Sequence, residues 1–444
     1  MNTRTTLILF VLVLIAAGAA RLLGQRGDGA DIRSTAPSDS AVLLPSVDTI
    51  DERNLRLRIT RDERHTTIAF ERQRWMQTEP VRFALRAEPV QQVITTALSL
   101  RYVDRFEPGA DGRVTLDEAG LSAPRVVLTL EGEPAGTLRL GKRILGGRAY
   151  VQVDDDPRIH VVGDALHALL LYSDVRTWRA RSLDVPPAGR VRSIELRRGD
   201  TVIELTQTEG EWRFAPPHVG RVDASSGAAL LDVVAGFHIA EFLGDDPRQL
   251  SALGLDQPGT TLSITSSDHP HPLVLRLGEV HDLAGRHRAA TWSTDGDVSS
   301  VAFSIRDADA AGLNVGVDDL RDPRVTVIAA EAVRRIELSS DSADIELVRG
   351  VEGVTVTRDG IVLEAEHDGE AIITAVTDLH AESYAVLPRP DTPTLMTITI
   401  EGIGYAEPDV LRIYQHTTDT AFVYRNDEPI GHIVTRETLR ALPD

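Results

Sequence analysis

The sequence predicts an α+β protein built of tandem modules, each of antiparallel strands with two short helices, following an N-terminal transmembrane helix. Three observations carry that expectation: landmarks recur about 137 to 142 residues apart, apolar residues alternate at period two between stretches of helical spacing, and one long apolar run stands at the N-terminus. A chain of 444 residues with 42% hydrophobic content is too long for one core and too apolar for general disorder.

The apolar run is Leu7 to Ala20, after Met1-Asn2-Thr3-Arg4-Thr5-Thr6. Counted from Thr5 to Gly24, with Arg21 extending its guanidinium to the headgroups, it reaches the roughly 20 residues that cross about 30 Å of hydrocarbon. Ala17-Gly18-Ala19 also fits a small-x-small cleavage site, so residues 1–24 read as a membrane anchor or a cleaved signal segment. Arg4 on one side faces Arg21 and Arg26 on the other, and charge does not set the orientation. No second run approaches spanning length, which places the whole body on one side: a cell-membrane protein with a single N-terminal pass and an extracytoplasmic, periplasmic body. Residues 25–50, rich in Gly, Ser, Asp and Pro and without periodicity, read as a flexible stalk.

Beyond the stalk the chain copies itself. Trp75 answers to Trp212, Gly120-Leu121-Ser122-Ala123-Pro124 to Gly254-Leu255-Asp256-Gln257-Pro258, and Leu138-Arg139-Leu140-Gly141 to Leu275-Arg276-Leu277-Gly278. Val191 to Leu196 is echoed by Val333 to Leu338, where a third copy opens that has lost both the Trp and the Gly-Leu-x-x-Pro turn. The modules are therefore 51–190, 191–330 and a shortened 331–444.

Each copy opens with half-buried alternating strands such as Ile194-Glu195-Leu196 and Val202 to Leu205, joined by a Gly199-Asp200 hairpin turn. A helix follows. In the first copy Val90, Val93, Ile94, Ala97 and Leu98 share a face; in the second Asp223 caps a helix with Leu230, Leu231, Val234 and Phe237; in the third Asp368 precedes Ile372, Ala375, Val376 and Leu379. Further strands (Val126 to Leu130, Gly136 to Leu140, Ala149 to Val153) lead to a second short helix capped by Asp164, and Thr435 opens its counterpart at the C-terminal end.

Composition narrows the chemistry. The absence of Cys excludes disulfides, thiolate metal sites and a cysteine nucleophile. Basic residues are almost all Arg, with Lys142 the one lysine. The net charge of −20 is uneven: residues 1–190 hold 26 basic and 24 acidic residues, residues 191–444 hold 21 and 43. An acidic distal body disfavours nucleic acid as a partner. It serves solubility or an acidic docking face.

No phosphate-binding loop, dinucleotide fingerprint, nucleophile elbow or His-Glu-x-x-His stands in the sequence, and no catalytic, cofactor-binding or metal residue is assigned: the chain reads as a non-enzyme without cofactor. His269-Pro270-His271-Pro272, with His281 and His287, offers imidazoles to Zn or Cu, yet the prolines stiffen a turn between two strands, and a solvated hairpin tip accounts for them. Asp154-Asp155-Asp156 lacks calcium-loop spacing and reads as a polar connection. Trp75 and Trp212 invite ligand stacking, but at the end of an opening hairpin a large ring covers the module's own core.

Together, the N-terminal apolar segment, the Trp after the first hairpin, the Gly-Leu-x-x-Pro turn, the Leu-x-Leu-Gly strand and the following Tyr150-Val151-Gln152-Val153 strand resemble an uncharacterised bacterial domain-of-unknown-function repeat family associated with gliding-type ABC-transporter auxiliary components. The resemblance covers residues 55 to 330 and, more loosely, the remainder. It implies a scaffold or accessory subunit of an envelope transport or motility complex, with the membrane and an ABC-transporter-like complex as partners. A module binding envelope glycan or peptide in an inter-module cleft is the alternative.

Overall fold

In the computed structural model, the described residues are 42–44, 51–208, 210–280, 284–294, 299–363, 369–426, 428–440 and 442. They form three antiparallel sheets with short helices, in tandem along the chain. The first holds β1 (Arg56–Arg61), β2 (Arg64–Glu71), β3 (Arg74–Glu79), β4 (Phe83–Ala84), β5 (Tyr102–Phe106), β6 (Val126–Glu131), β7 (Gly136–Ile144), β8 (Arg148–Val153) and β9 (Ile159–Gly163), in the order β4-β3-β2-β1-β6-β7-β8-β9-β5. The second sheet, from Val191–Arg198 to Ala302–Arg306, repeats this order without a counterpart of β4. The third, from Val333–Ser340 to Gly431–Thr435, repeats it with all nine strands.

Local chemistry explains the repetition. In β1, Leu57 and Ile59 point inward while Arg56 and Arg58 face water, the alternation that commits one sheet face to a core. The Gly199-Asp200 pair closes a two-residue loop between paired Arg198 and Thr201, with Gly199 at φ 54°. Helix Ala87–Leu98 buries Val90, Val93, Ile94 and Ala97 on the first sheet, and helix Ala224–Ala235 buries Leu230, Leu231 and Val234 on the second. Asp223 caps the latter, accepting from the Ser225 and Ser226 amides. The third module's helix is Gly369–Thr377, and its expected cap Asp368 lies outside the described residues. Each sheet carries its own apolar core.

The two repeated motifs turn out to be one packing unit. The Lys142 amide donates to Ala119 O at 2.7 Å and the Glu279 amide to Leu253 O at 3.1 Å, so each Leu-x-Leu-Gly strand hydrogen-bonds the Gly-Leu-x-x-Pro turn of its own module. A Cβ at Gly141 would lie 2.4 Å from Ala119 O, and one at Gly278 2.1 Å from Leu253 O, which is why both strands place glycine there. Satellite cores sit beneath the two turns, around Leu121 and Ile159 in the first module and around Leu250 and Leu255 in the second. In the third module the segment between Ser383–Ala385 and Met396–Gly402 is too short to carry the turn, and Tyr414 stands at the glycine position. The turn and the glycine were lost together.

Three expectations need correction or limits. Residues 42–44, assigned by composition to the stalk, are docked: Val42 bridges Arg101 and Leu44 is buried in the first core. Asp164 precedes helix Ala165–Tyr172 without capping it, because its carboxylate is taken by Arg143. The apolar run Leu7 to Ala20 and the rest of the stalk lie outside the described residues, among which no helix is long and apolar enough to cross a membrane.

Candidate functional site

The modules are joined by a device that recurs. On leaving the first module, the chain pairs with that module's outer edge: Arg86 N donates to Trp178 O (2.8 Å) and Ala180 N to Ala84 O (2.9 Å). At the second junction Asp223 N donates to Leu320 O (3.0 Å) and Asp322 N to Arg221 O (3.2 Å). The linker then joins the next module, through Ile239 N to Arg181 O and Ala381 N to Pro323 O, both 2.8 Å. The docked segment at Val42 follows the same rule. Its bridge to Arg101 matches Ser182 with His238 and Arg324 with His380, and Leu43 N to Leu100 O matches Val325 N to Leu379 O, each 3.0 Å.

A buried arginine sits at the centre of each junction. Arg179 is fully buried; Nη1 and Nη2 donate to the two Asp245 carboxylate oxygens at 2.6 and 2.8 Å, and Nε and Nη2 donate to Gln77 Oε1 at 3.2 and 3.1 Å. Its guanidinium lies over Phe83 of the first module (5.8 Å) and Phe242 of the second (5.3 Å). Arg321 repeats the arrangement with different partners, lying between Phe214 (5.0 Å) and Tyr384 (5.4 Å), bonded to Asp318 and to Val219 O. Arginine suits both places because its planar fork satisfies a carboxylate while its faces stack on rings.

Beneath Tyr384 lies His432, buried, its ring 5.6 Å away and its Nδ1 3.3 Å from Val423 O. Burial, and then the Arg221 charge, push its pKa down to about 4 from 6.5. Above pH 6.5 both folded and unfolded chains hold this group neutral; as pH falls towards 4, only the unfolded chain takes up the proton, and stability is lost across that window by about 3 kcal/mol. The equivalent strand position in the second module is Phe303. We therefore expect His432→Phe to flatten the fall in denaturation midpoint between pH 6.5 and 4 without abolishing it, since burial also lowers the pKa of His160 and His167. An unchanged slope would show that His432 titrates normally.

The two junctions differ in how the space beside the linker is filled. At the second, Thr326 Oγ1 and Arg425 Nε donate to Asp409 (2.6 and 2.8 Å), and Tyr405 Oη donates to Val327 O (3.1 Å), closing the gap. At the first, Trp292 occupies the position of Arg425, facing Leu275 across the strands as Arg425 faces Leu411. There the space stays open as a cleft of about 470 Å³ between the first and second sheets. Met76, Phe83, Leu183 and Trp292 form apolar walls, and the β2–β3 turn brings Arg72, Gln73 and Arg74 to the cleft.

Most charges on this cleft are matched. Arg74 pairs with Asp184 at 2.7 Å, Arg82 with Glu71, and Asp268 with Arg190 at 3.1 Å. Arg72 has no ion pair or hydrogen bond among the described residues. His269 lies 3.1 Å from Ser266 Oγ and 3.9 Å from Asp184; burial, then the Arg72 charge, lower its pKa, so it is neutral at pH 7. The cleft thus carries one uncompensated cation.

Of the residues singled out in the sequence, Trp75 and Trp212 are core side chains, the former edge-on to Phe70 at 5.3 Å. His269 borders the cleft, His287 belongs to strand His287–Ser293, and His281 lies outside the described residues. Among the described residues no three His, Asp or Glu side chains converge as metal ligands. Asp154 accepts from the Thr137 amide and Asp156 pairs with Arg158, which holds its pKa at about 2: they are turn residues. The junction arginines escaped the sequence reading. Their signal was present, since Arg179 and Arg321 are separated by the same interval as Val191 and Val333.

No curated protein matches the sequence. Solved structures show only weak likeness. A DNA polymerase sliding clamp from Pseudomonas aeruginosa aligns at 9% identity over 87% of this chain and 92% of its own, with a TM-score of 0.16. A putative DNA polymerase III beta subunit from Eubacterium rectale aligns at 7% over 89% and 94%, with a TM-score of 0.14. Likeness at that level carries no argument. One family model matches twice, over residues 75–258 and 212–397. Each match begins at one of the paired tryptophans and runs through a junction arginine into the next sheet, so the recurring unit includes the junction itself. The tandem matches span well over half of the sequence, and the chain belongs to the family described as a domain of unknown function, DUF4340.

Proposed function

We propose that this protein is a membrane-anchored extracytoplasmic scaffold, an accessory subunit of an envelope transport or motility complex. The observation that carries the reading is the repeated junction: three sheets are joined in tandem by backbone pairing and buried arginines, a repeated linkage of the kind a scaffold needs. The apolar run Leu7 to Ala20 supports the anchor. Topology is directly testable because the chain has no native Cys. Single cysteines at fully exposed Leu145 and Val351 should react with a membrane-impermeant maleimide added outside the cytoplasmic membrane. Labelling only after the membrane is permeabilised would contradict the extracytoplasmic placement.

A second reading is favoured by the cleft between the first two modules: a binding site for envelope glycan or peptide. Thermal-shift screening against glycans and short peptides tests it. A midpoint raised by a ligand supports binding, and a flat response across both classes counts against it.

A further inference from the structure

We propose that the cleft between the first and second sheets binds a small molecule bearing a carboxylate on an apolar body; this deepens the binding reading above and rests on it. The junction is built twice on one plan, and in the second copy Asp409, Arg425 and Tyr405 fill the space beside the linker. Joining two modules therefore does not require a void. In the first copy Trp292 replaces the arginine and about 470 Å³ stays open, within the size range of small-molecule sites.

The chemistry of the walls selects the ligand. Met76, Phe83, Leu183 and Trp292 offer apolar and aromatic surface to a ligand body. Arg74 and Arg82 are already held by Asp184 and Glu71, leaving Arg72 as the cation without a counter-charge. A guanidinium at the mouth of an apolar cleft takes a carboxylate through two parallel hydrogen bonds. His269, neutral beside it, adds no second positive charge, so one carboxylate suffices. A free peptide C-terminus and a fatty acid both present this chemistry.

Titration calorimetry of the full chain separates the sources by two matched pairs: decanoate against decanol, and acetyl-Leu-Leu-Phe with a free carboxylate against its amide. The acid is expected to bind about tenfold more tightly than its neutral partner in at least one pair. Arg72→Gln, at an exposed turn, should erase that preference, and Ser182→Trp, filling the cleft from the exposed linker, should abolish binding of both members. Preference in only one pair identifies the source. Equal binding of acid and neutral forms overturns the carboxylate assignment while leaving cleft binding intact. Binding indifferent to both substitutions, or none by any of the four probes, overturns the proposal; the glycan screen then decides the broader reading separately.

Discussion

Arg179→Ala is expected to lower unfolding free energy by about 3 to 5 kcal/mol, the range for removing one partner of a buried ion pair. The loss has three parts. Asp245 and Gln77 Oε1 lose their charge-assisted donors, the packing of the guanidinium on Phe83 and Phe242 is lost, and the ion pair that reaches the second module disappears. Urea denaturation of the full chain measures it. Arg179→Lys should recover only part of the loss, because an ammonium cannot reach both carboxylate oxygens and Gln77 while stacked on two rings. A change below about 1 kcal/mol would mean that backbone pairing and the packing of Val81 and Phe83 into the second core hold the junction without the guanidinium.

Gly278→Ala carries the second large effect. Its Cβ would meet a backbone carbonyl at 2.1 Å, which no side-chain rotation relieves, so either the strand or the Gly-Leu-x-x-Pro turn must move. A loss of about 3 kcal/mol is expected, with the satellite core around Leu250 and Leu255 loosening in hydrogen exchange. Gly163→Ala is the matched control: no atom lies within 4 Å of its Cβ position, and its cost should stay within about 0.5 kcal/mol. Equal costs at the two glycines would refute the packing argument.

The sheets and helices were legible because their residues obey local rules. Period-two alternation, the Gly199-Asp200 turn and the helical spacing of Val90, Val93, Ile94 and Ala97 each act within a few residues. The complete third sheet was harder to see. Its landmarks were a tryptophan, a turn and a glycine, and the latter two belong to one packing unit that is dispensable as a unit, so their joint absence in the third copy concealed nine intact strands. The docking of Val42 to Leu44 was hidden by polar, turn-forming neighbours, since three residues cannot display a periodicity.

The site was the least legible part, for a physical reason. In a chain whose basic residues are nearly all Arg, nothing local distinguishes Arg179 from a solvated surface residue; its role comes from Gln77, Phe83, Phe242 and Asp245, brought together only by folding. The cleft is assembled from the β2–β3 turn, the linker near Leu183 to Pro187, the turn at His269 and the strand carrying Trp292. Its character is set by an absence of packing that appears only when the two junctions are compared.

The scaffold reading stands or falls on a partner in the membrane. Photo-cross-linkers placed one at a time at the exposed Leu145, Val351, Ile361 and Tyr405 of the full-length protein in native membranes, followed by mass spectrometry of the adducts, test it directly. Recovery of an integral membrane protein of transporter type is expected, with adducts from positions on more than one module. Adducts confined to the protein itself, or none from any position, would contradict it.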